Sequence, residues 1–316
     1  MADNNSHNDE SSQIDSLFCE DDIVISIDKS NSTDYPIIFR PEYDIRIGCF
    51  IKHFYPFDTN KWGKVARFIQ ESFNSDINYI KPEQPISNEQ LQLVHGEQFI
   101  KNIRSRRNLV RTSECFILYL LPFDWIDQRI IRPLRYQTAG TVMAACWSYK
   151  HRLSSINLGG GFHHCTANES AGFCFFADIT LAIRNIWSAC LADHRSPIPI
   201  LIVDCDAHQG NGYERDVLRM TNDENHLNAI IESDHFNPGL IIYNAGTDCL
   251  QGDRLGQLNI SAKGIIKRDE TLFRFGSRNK VAIVMLLSGG YQRNNAQIIA
   301  DSILNLIESN LLTPLR

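Results

Sequence analysis

Several things are missing from this chain, and each absence excludes a class of protein. No apolar run approaches the roughly 18 residues that a membrane-spanning helix needs. The cysteines number nine, an odd count, and no two stand in a C-x-x-C spacing, so neither a disulfide framework nor a common zinc finger is indicated. Reduced, mostly buried thiols fit a nuclear or cytoplasmic protein. There is no excess of positive charge: the net charge is -6, which argues against a protein held to nucleic acid by phosphate contacts. The amino terminus lacks the basic and apolar regions of a signal peptide. Residues 1–22 are instead polar and rich in Asn, Ser and Asp, and are expected to be a disordered tail.

What remains is the composition of an ordinary folded domain, 43% hydrophobic and 22% charged over 316 residues. Residues 23–316 are expected to form one catalytic-size domain. The most informative stretch is Leu201-Ile202-Val203-Asp204-Cys205-Asp206-Ala207-His208-Gln209-Gly210-Asn211-Gly212. Ile198 to Val203 is apolar and β-branched, which reads as a central strand covered on both faces. Asp204 and Asp206 are two apart and share a side if the strand continues. His208 follows at the same interval, where Gly210 and Gly212 must turn the chain.

Three further strands end alike. Ser155 to Leu158 runs into Gly159-Gly160-Gly161-Phe162-His163-His164, Leu240 to Tyr243 into Asn244-Ala245-Gly246-Thr247-Asp248, and Val281 to Leu287 into Ser288-Gly289-Gly290-Tyr291. Helical stretches separate them. Gln137 to Tyr149 is small and apolar, a helix beginning near Phe176 or Ala177 carries Asp178 in its first turn, and Asn295 to Leu312 closes the chain. Asp58 is a candidate cap for a helix through Trp62, Val65 and Ile69. Ser87-x-x-Gln90 is a capping box for one helix reaching Ile100. Phe116 to Trp125 reads equally as core or as a loop over a pocket. The alternation predicts an α/β fold, an open parallel sheet with helices on both faces, and it brings the reactive side chains to the carboxyl edge, where such sheets build sites.

Asp206, His208 and Asp248 offer oxygen and nitrogen ligands for a divalent metal with an open position, which can activate water for attack on a carbonyl. His163 and His164 would then be an acid/base pair. Asp204 and Asn211 are placed to hold those imidazoles, and Tyr291 to donate to an oxyanion. Singly, each residue has a plainer reading: a His-His pair as a core or capping feature, Asp248 as a helix cap, Tyr291 as a packed aromatic. His163, His164, Cys165 and Cys174 could hold a structural zinc, but the spacing fits no common finger. The Arg104, Arg106, Arg107 cluster reads as a solvated face.

At the glycine-ended turns, at Gly172-Phe173-Cys174 and at Asp204-x-Asp206-x-His208-x-Gly210-Asn211-Gly212, the sequence resembles the zinc-dependent histone deacetylases. Pro56-Phe57-Asp58, Lys61-Trp62-Gly63-Lys64-Val65, Arg132-Pro133-Leu134-Arg135, Ala177 to Ile183 and Gly252-Asp253-Arg254-Leu255-Gly256 are similar to the class IV branch. The resemblance covers roughly residues 36 to 312. It implies an arginase/deacetylase-like sheet, with Zn2+ on Asp206, His208 and Asp248, acid/base work by His163 and His164, and oxyanion stabilisation by Tyr291. It further implies an acyl-lysine tunnel at Gly172, Phe173 and Leu255, and a structural K+ held by carbonyls near the Asp204–His208 strand. Acylated-lysine proteins or histones would be substrates, with long fatty acyl groups among those removed, and corepressor proteins would be partners. Two departures stand out. Tyr55 replaces a His, and Tyr213 to Gly239 is short for the family, an apparent internal deletion that omits a strand. From that deletion comes a rival reading as a non-catalytic binder; a hydrolase of small acetylated amines such as acetylpolyamines is a third.

Overall fold

The computed structural model describes residues 34–47, 58–74, 76–221 and 237–315. The expected tail, the stretch before Asp34, Tyr55, Pro56-Phe57 and Asn222 to Asn225 lie outside these residues.

Five strands form one parallel sheet. They are β1 (Ile37–Ile38), β2 (Ser155–Asn157), β3 (Ile200–Asp204), β4 (Leu240–Asn244) and β5 (Ala282–Leu286), in the spatial order β1-β2-β5-β4-β3. The register aligns their carboxyl ends. Ile38 pairs with Asn157, Asn157 with Leu286, Leu286 with Asn244, and Asn244 with Asp204. One transverse row therefore marks the last paired residue of every strand, and each following turn starts from the same edge. The α/β sheet expected from the alternation is present, with the short β1 at its edge beside β2.

The helices follow their apolar periodicity. They include α1 (Lys61–Ser72), α2 (Asn88–Leu91), α3 (Glu97–Ile103), α4 (Arg106–Ser113), α5 (Arg132–His151), α6 (Asp178–Ala192), α7 (Asn211–Thr221), α8 (Ala262–Asn279) and α9 (Asn295–Glu308). α5 is buried from Tyr136 to Tyr149. Its small residues let it lie between the sheet and α6, and burial of this kind is the main source of the fold's stability. Among the described residues no helix is long and apolar enough to cross a membrane.

Three expectations are corrected. β3 is not a central strand covered on both faces: among the described residues it pairs only with β4, at the edge, and all five of its residues are half-buried. An apolar β-branched run looks the same at an edge and at a centre, because what differs is the neighbour on the far side. The capping box is made, with Ser87 N–H donating to Gln90 Oε1 at 2.8 Å and Gln90 N–H to Ser87 Oγ at 3.2 Å, but the helix stops after Leu91. His95 turns into the core, where its Nδ1 meets the Ala167 carbonyl at 2.9 Å and its Nε2 accepts from Ala177 N–H at 3.1 Å, and Gly96 starts α3 afresh. Asp58 does not cap α1, whose N-cap is Asn60. Its carboxylate instead accepts from Asn60 N–H and Lys64 Nζ. Phe116 to Leu120 is a short 3-10 turn that buries Leu118 and leaves Phe116 and Leu120 exposed.

Candidate metal centre and its pocket

The turns after β2, β3, β4 and β5 at the carboxyl edge all contribute to one site. After β3 the chain passes Asp206 and His208, and after β4 it reaches Asp248. One donor atom from each of these three residues lies within 4.8 Å of the others. His208 Nδ1 stands 2.7 Å from Asp248 Oδ2 and 3.1 Å from Asp206 Oδ1. Both carboxylates are also held from behind: Asp206 Oδ2 accepts from Gly289 N–H at 3.0 Å and Ser288 Oγ at 3.2 Å, and Asp248 Oδ1 from Ala207 N–H at 2.9 Å. Only a glycine allows this approach at position 289, since a Cβ there would overlap the Asp206 carboxylate and stand 2.9 Å from Asp248 Cγ.

Two buried carboxylates facing one imidazole make a site that calls for a positive charge. In the chain alone a proton supplies it: the hydrogen bond His208 donates to Asp206, with the nearby Asp248 charge, raises His208 to about 9. Burial and the facing Asp206 carboxylate raise Asp248 above the usual carboxylate range. A divalent cation satisfies the same demand, and an N/O/O donor set of this size fits zinc or a similar metal.

The His pair sits beside these groups. The rings of His163 and His164 have centroids 4.1 Å apart. His163 Nδ1 is 2.9 Å from Asp204 Oδ2, and its Nε2 is 3.7 Å from Asp206 Oδ1. His164 Nδ1 is 2.9 Å from Asn211 Oδ1. An oxygen acceptor at each Nδ1 assigns the proton there and leaves each Nε2 for the pocket. The two rings are then tuned apart. For His163, burial works against the charged form, but the Asp204 hydrogen bond and the surrounding carboxylates outweigh it and raise the pKa. For His164, burial and the neighbouring His163 charge lower it.

Tyr291 follows Gly290, and its ring centroid lies 6.4 Å from that of His208, nearly perpendicular to it, and 6.4 Å from that of Phe173. Burial and the charges of Asp206 and Asp248 push its phenol well up, so it remains a donor. Gly172 and Phe173 both adopt positive φ, +49° and +63°. A side chain at 172 would meet His164 Cδ2 at 2.6 Å. Phe173 is not a residue that tolerates this backbone easily, and its N–H is tied to the Thr112 carbonyl at 2.7 Å. His163, His164, Gly172, Phe173, Asp206 and Tyr291 line a single pocket, whose apolar wall includes Ile45, Trp62, Ile130 and Leu134. Leu255 is the exception among the expected tunnel residues. It is 39% exposed on a turn held by Asp253 and is not part of that lining.

Other residues prove to be supports that the sequence reading left without a role. Asp178, noted only as a first-turn acid, accepts from Gly161 N–H and Phe162 N–H at 2.8 Å and fixes the turn carrying the His pair. Asp253 accepts from Tyr291 N–H at 2.9 Å. Lys61, fully buried, donates to the carbonyls of Ser288 and Gly289. A charged residue inside an otherwise apolar helix face is the signal that could have marked Lys61.

Comparison with known proteins agrees with this geometry. The sequence model described as "Histone deacetylase domain" matches residues 55–226 and 224–307. The chain is 36% identical over 315 residues to "Histone deacetylase 2" of Arabidopsis thaliana, covering 87% of this chain and 79% of that protein. It is 26% identical over 257 residues to "Histone deacetylase 1" of Homo sapiens, covering 66% of this chain, but it spans only 51% of that protein's length. Among solved structures, "Crystal Structure of HDA15 HD domain" superposes with a TM-score of 0.59 at 17% identity, covering 89% of each chain, which bears on the fold alone. From a family match running through most of the sequence, and a plant relative at this level of identity, it follows that the chain belongs to the histone deacetylase family and is a hydrolase of the deacetylase type.

Proposed function

We propose that this protein is a zinc-dependent lysine deacylase of the class IV branch. The observation that carries the reading is the meeting of donor atoms of Asp206, His208 and Asp248 beside the pocket that Asp206, the two imidazoles and Tyr291 line. Zinc held by those three residues supplies a Lewis acid that polarises the substrate carbonyl and makes water acidic. The remaining work falls to the chain. His164, neutral and with Nε2 facing the pocket, accepts the proton of the attacking water. His163, whose charged form the Asp204 hydrogen bond favours, returns a proton to the departing lysine nitrogen. Tyr291 donates to the carbonyl oxygen as it gains charge, a contribution of about 3–4 kcal/mol in comparable sites.

Acylated lysines of histones or other proteins are the substrate class. The apolar Ile45, Trp62, Ile130 and Leu134 wall supports an aliphatic acyl group, acetyl or longer. The branch assignment is supported by Lys61-Trp62-Gly63-Lys64-Val65 and Arg132-Pro133-Leu134-Arg135. A potassium ion near the Asp204–His208 turn, corepressor partners and action in nucleus or cytoplasm complete the reading. The apparent deletion between Gly212 and Leu240 is supported by a family match that ends at 226 and restarts at 224.

The test is zinc analysis of the purified chain beside hydrolysis of acetyl-lysine and myristoyl-lysine peptides. About one zinc per chain is expected, with hydrolysis abolished in His164→Ala and strongly reduced in Tyr291→Phe. A second reading is favoured by the edge position of β3: a metal-holding binder without turnover. Zinc present with no hydrolysis of either peptide selects it, and a chain that takes up no metal overturns both.

A further inference from the structure

Next to the site pocket lies a second concavity, a groove of about 540 Å3. The two share walls. Ile45 faces the site pocket while its neighbours Asp44 and Arg46 line the groove, and Ile130 and Leu134 face the pocket while Arg129 and Pro133 line the groove. The groove's charge runs against that of the chain. Arg40, Arg46, Lys81, Arg129 and Arg132 line it with only Glu42 and Asp44 opposing them, five cations to two carboxylates on a protein of net charge -6.

The opposing carboxylates are already engaged. Glu42 is taken by Arg40 through paired bonds of 2.9 and 2.8 Å, and Asp44 Oδ1 accepts from Gly63 N–H at 2.9 Å. Arg40 itself is saturated, since it also reaches the Pro82 and Glu83 carbonyls and stacks 4.0 Å over the Tyr136 ring. The other four cations are exposed. Arg132 meets the Tyr136 hydroxyl at 3.3 Å, and no carboxylate lies within ion-pair distance of Arg46, Lys81, Arg129 or Arg132 among the described residues. Four cations around one concavity repel one another, and an anion relieves that repulsion.

We propose that this groove is a binding site for a small ligand carrying two or more phosphate groups. Guanidinium forks match phosphate oxygens in bidentate geometry. A phosphate concentrates up to two charges and three acceptors in a small volume, which suits cations gathered in a space of ligand size. An acidic peptide instead spreads one charge per residue along its length. The site is separate from the metal ligands, and its test does not depend on turnover.

Inorganic tripolyphosphate is the probe, titrated calorimetrically and by thermal unfolding into the full chain. Binding is expected to raise the unfolding temperature by a few degrees at saturation and to weaken as salt is added. Arg46→Glu and Arg129→Glu are expected to bind at least tenfold more weakly. Lys101→Glu, outside the groove, is expected to bind as the parent does. The unfolding temperature without ligand reports whether each variant folds, and Lys81→Ala with Arg129→Ala stands in for any that does not. The proposal is overturned by no binding at millimolar tripolyphosphate, by equal binding in parent and groove variants, or by a poly-glutamate peptide binding more tightly than tripolyphosphate.

Discussion

Lys61 and Gly289 are joined across the site: the buried ammonium donates to the Gly289 carbonyl at 3.0 Å and to that of Ser288, while the Gly289 N–H holds Asp206. One lysine on α1 therefore braces the turn that both orients a metal ligand and delivers Tyr291. Burial lowers Lys61 to about 8, against the nearby carboxylates that favour its charge. Lys61→Met keeps the apolar stem but removes the donor to the Ser288 carbonyl, while that of Gly289 keeps Thr247 N–H and Oγ1, both at 3.1 Å; the cost is about 1–3 kcal/mol. We expect it to lower the kcat for acyl-peptide hydrolysis by roughly 10–100-fold, the range for a residue that orients a metal site. Lys61→Arg is expected to restore part of that loss. Equal kcat in parent and Lys61→Met would remove the bracing role.

His95 sets a pH dependence of folding. Its ring lies stacked on Phe99 with centroids 4.1 Å apart. Burial lowers its pKa from 6.5 to about 4, only partly opposed by the Ala167 hydrogen bond. In the folded chain the proton is held off until about pH 4, whereas the unfolded chain takes it up near 6.5. The unfolded state thus binds the extra proton between these values, so stability is complete above about pH 6.5 and falls as the pH drops. The loss approaches roughly 3 kcal/mol at pH 4. Urea midpoints for the parent and His95→Gln at pH 7.5, 6 and 5 check this. The variant is expected to be weaker at pH 7.5, through poorer hydrogen bonding, and its gap to the parent to narrow as the pH falls. A gap constant with pH would rule the account out.

Ile202 and Ile242 pair directly across β3 and β4, yet they lie in different surroundings. Ile242 is fully buried, and Ile202 is half-buried at the sheet edge. Truncating Ile242 to alanine opens a cavity and is expected to cost about 2–5 kcal/mol. The same change at Ile202 removes half-solvated surface and is expected to cost about 1 kcal/mol. Equal losses, read from denaturant midpoints, would mean that the outer side of β3 is covered in solution.

The difference between those two residues also marks what the sequence could disclose. Ile198 to Val203 and Leu240 to Tyr243 carry the same apolar, β-branched signal, and the strands lie where that signal puts them. Their rank in the sheet depends on which strands lie alongside, information that no single stretch contains. Asp206, His208 and Asp248 were legible because the two strands before them end in turns, and parallel strands in register must present those turns on one edge. Asp178 and Asp253 were not, since each works by accepting backbone N–H groups of a distant turn, and a carboxylate in a first helical turn or a glycine-bounded loop has ordinary local uses. Leu255 was placed by resemblance alone. Its exposure follows from Asp253, which accepts the N–H groups of Leu255 and Gly256 and folds that turn outward.

Gly289→Ala probes the site with the smallest possible change. The added methyl would overlap the Asp206 carboxylate and press on Asp248. Both are ligand residues, and neither can retreat freely: Asp206 is tied to His208 N–H at 3.0 Å and Asp248 to Ala207 N–H at 2.9 Å. Either the carboxylates move apart or the 288–290 turn lifts, and in the second case the Gly289 bond to Asp206 is lost and Tyr291 shifts with it. Metal sites tolerate displacements of only about 0.2 Å in ligand distance. We therefore expect Gly289→Ala to weaken zinc affinity by at least tenfold in competition with a chelator. Global stability should change by only about 1–3 kcal/mol, the usual cost of overpacking. Gly96→Ala, at the exposed N-cap of α3 where an added methyl meets nothing within 4 Å, is the control and is expected to leave zinc affinity unchanged. Zinc affinity in Gly289→Ala equal to that of the control would show that Asp206 and Asp248 do not hold the ion together.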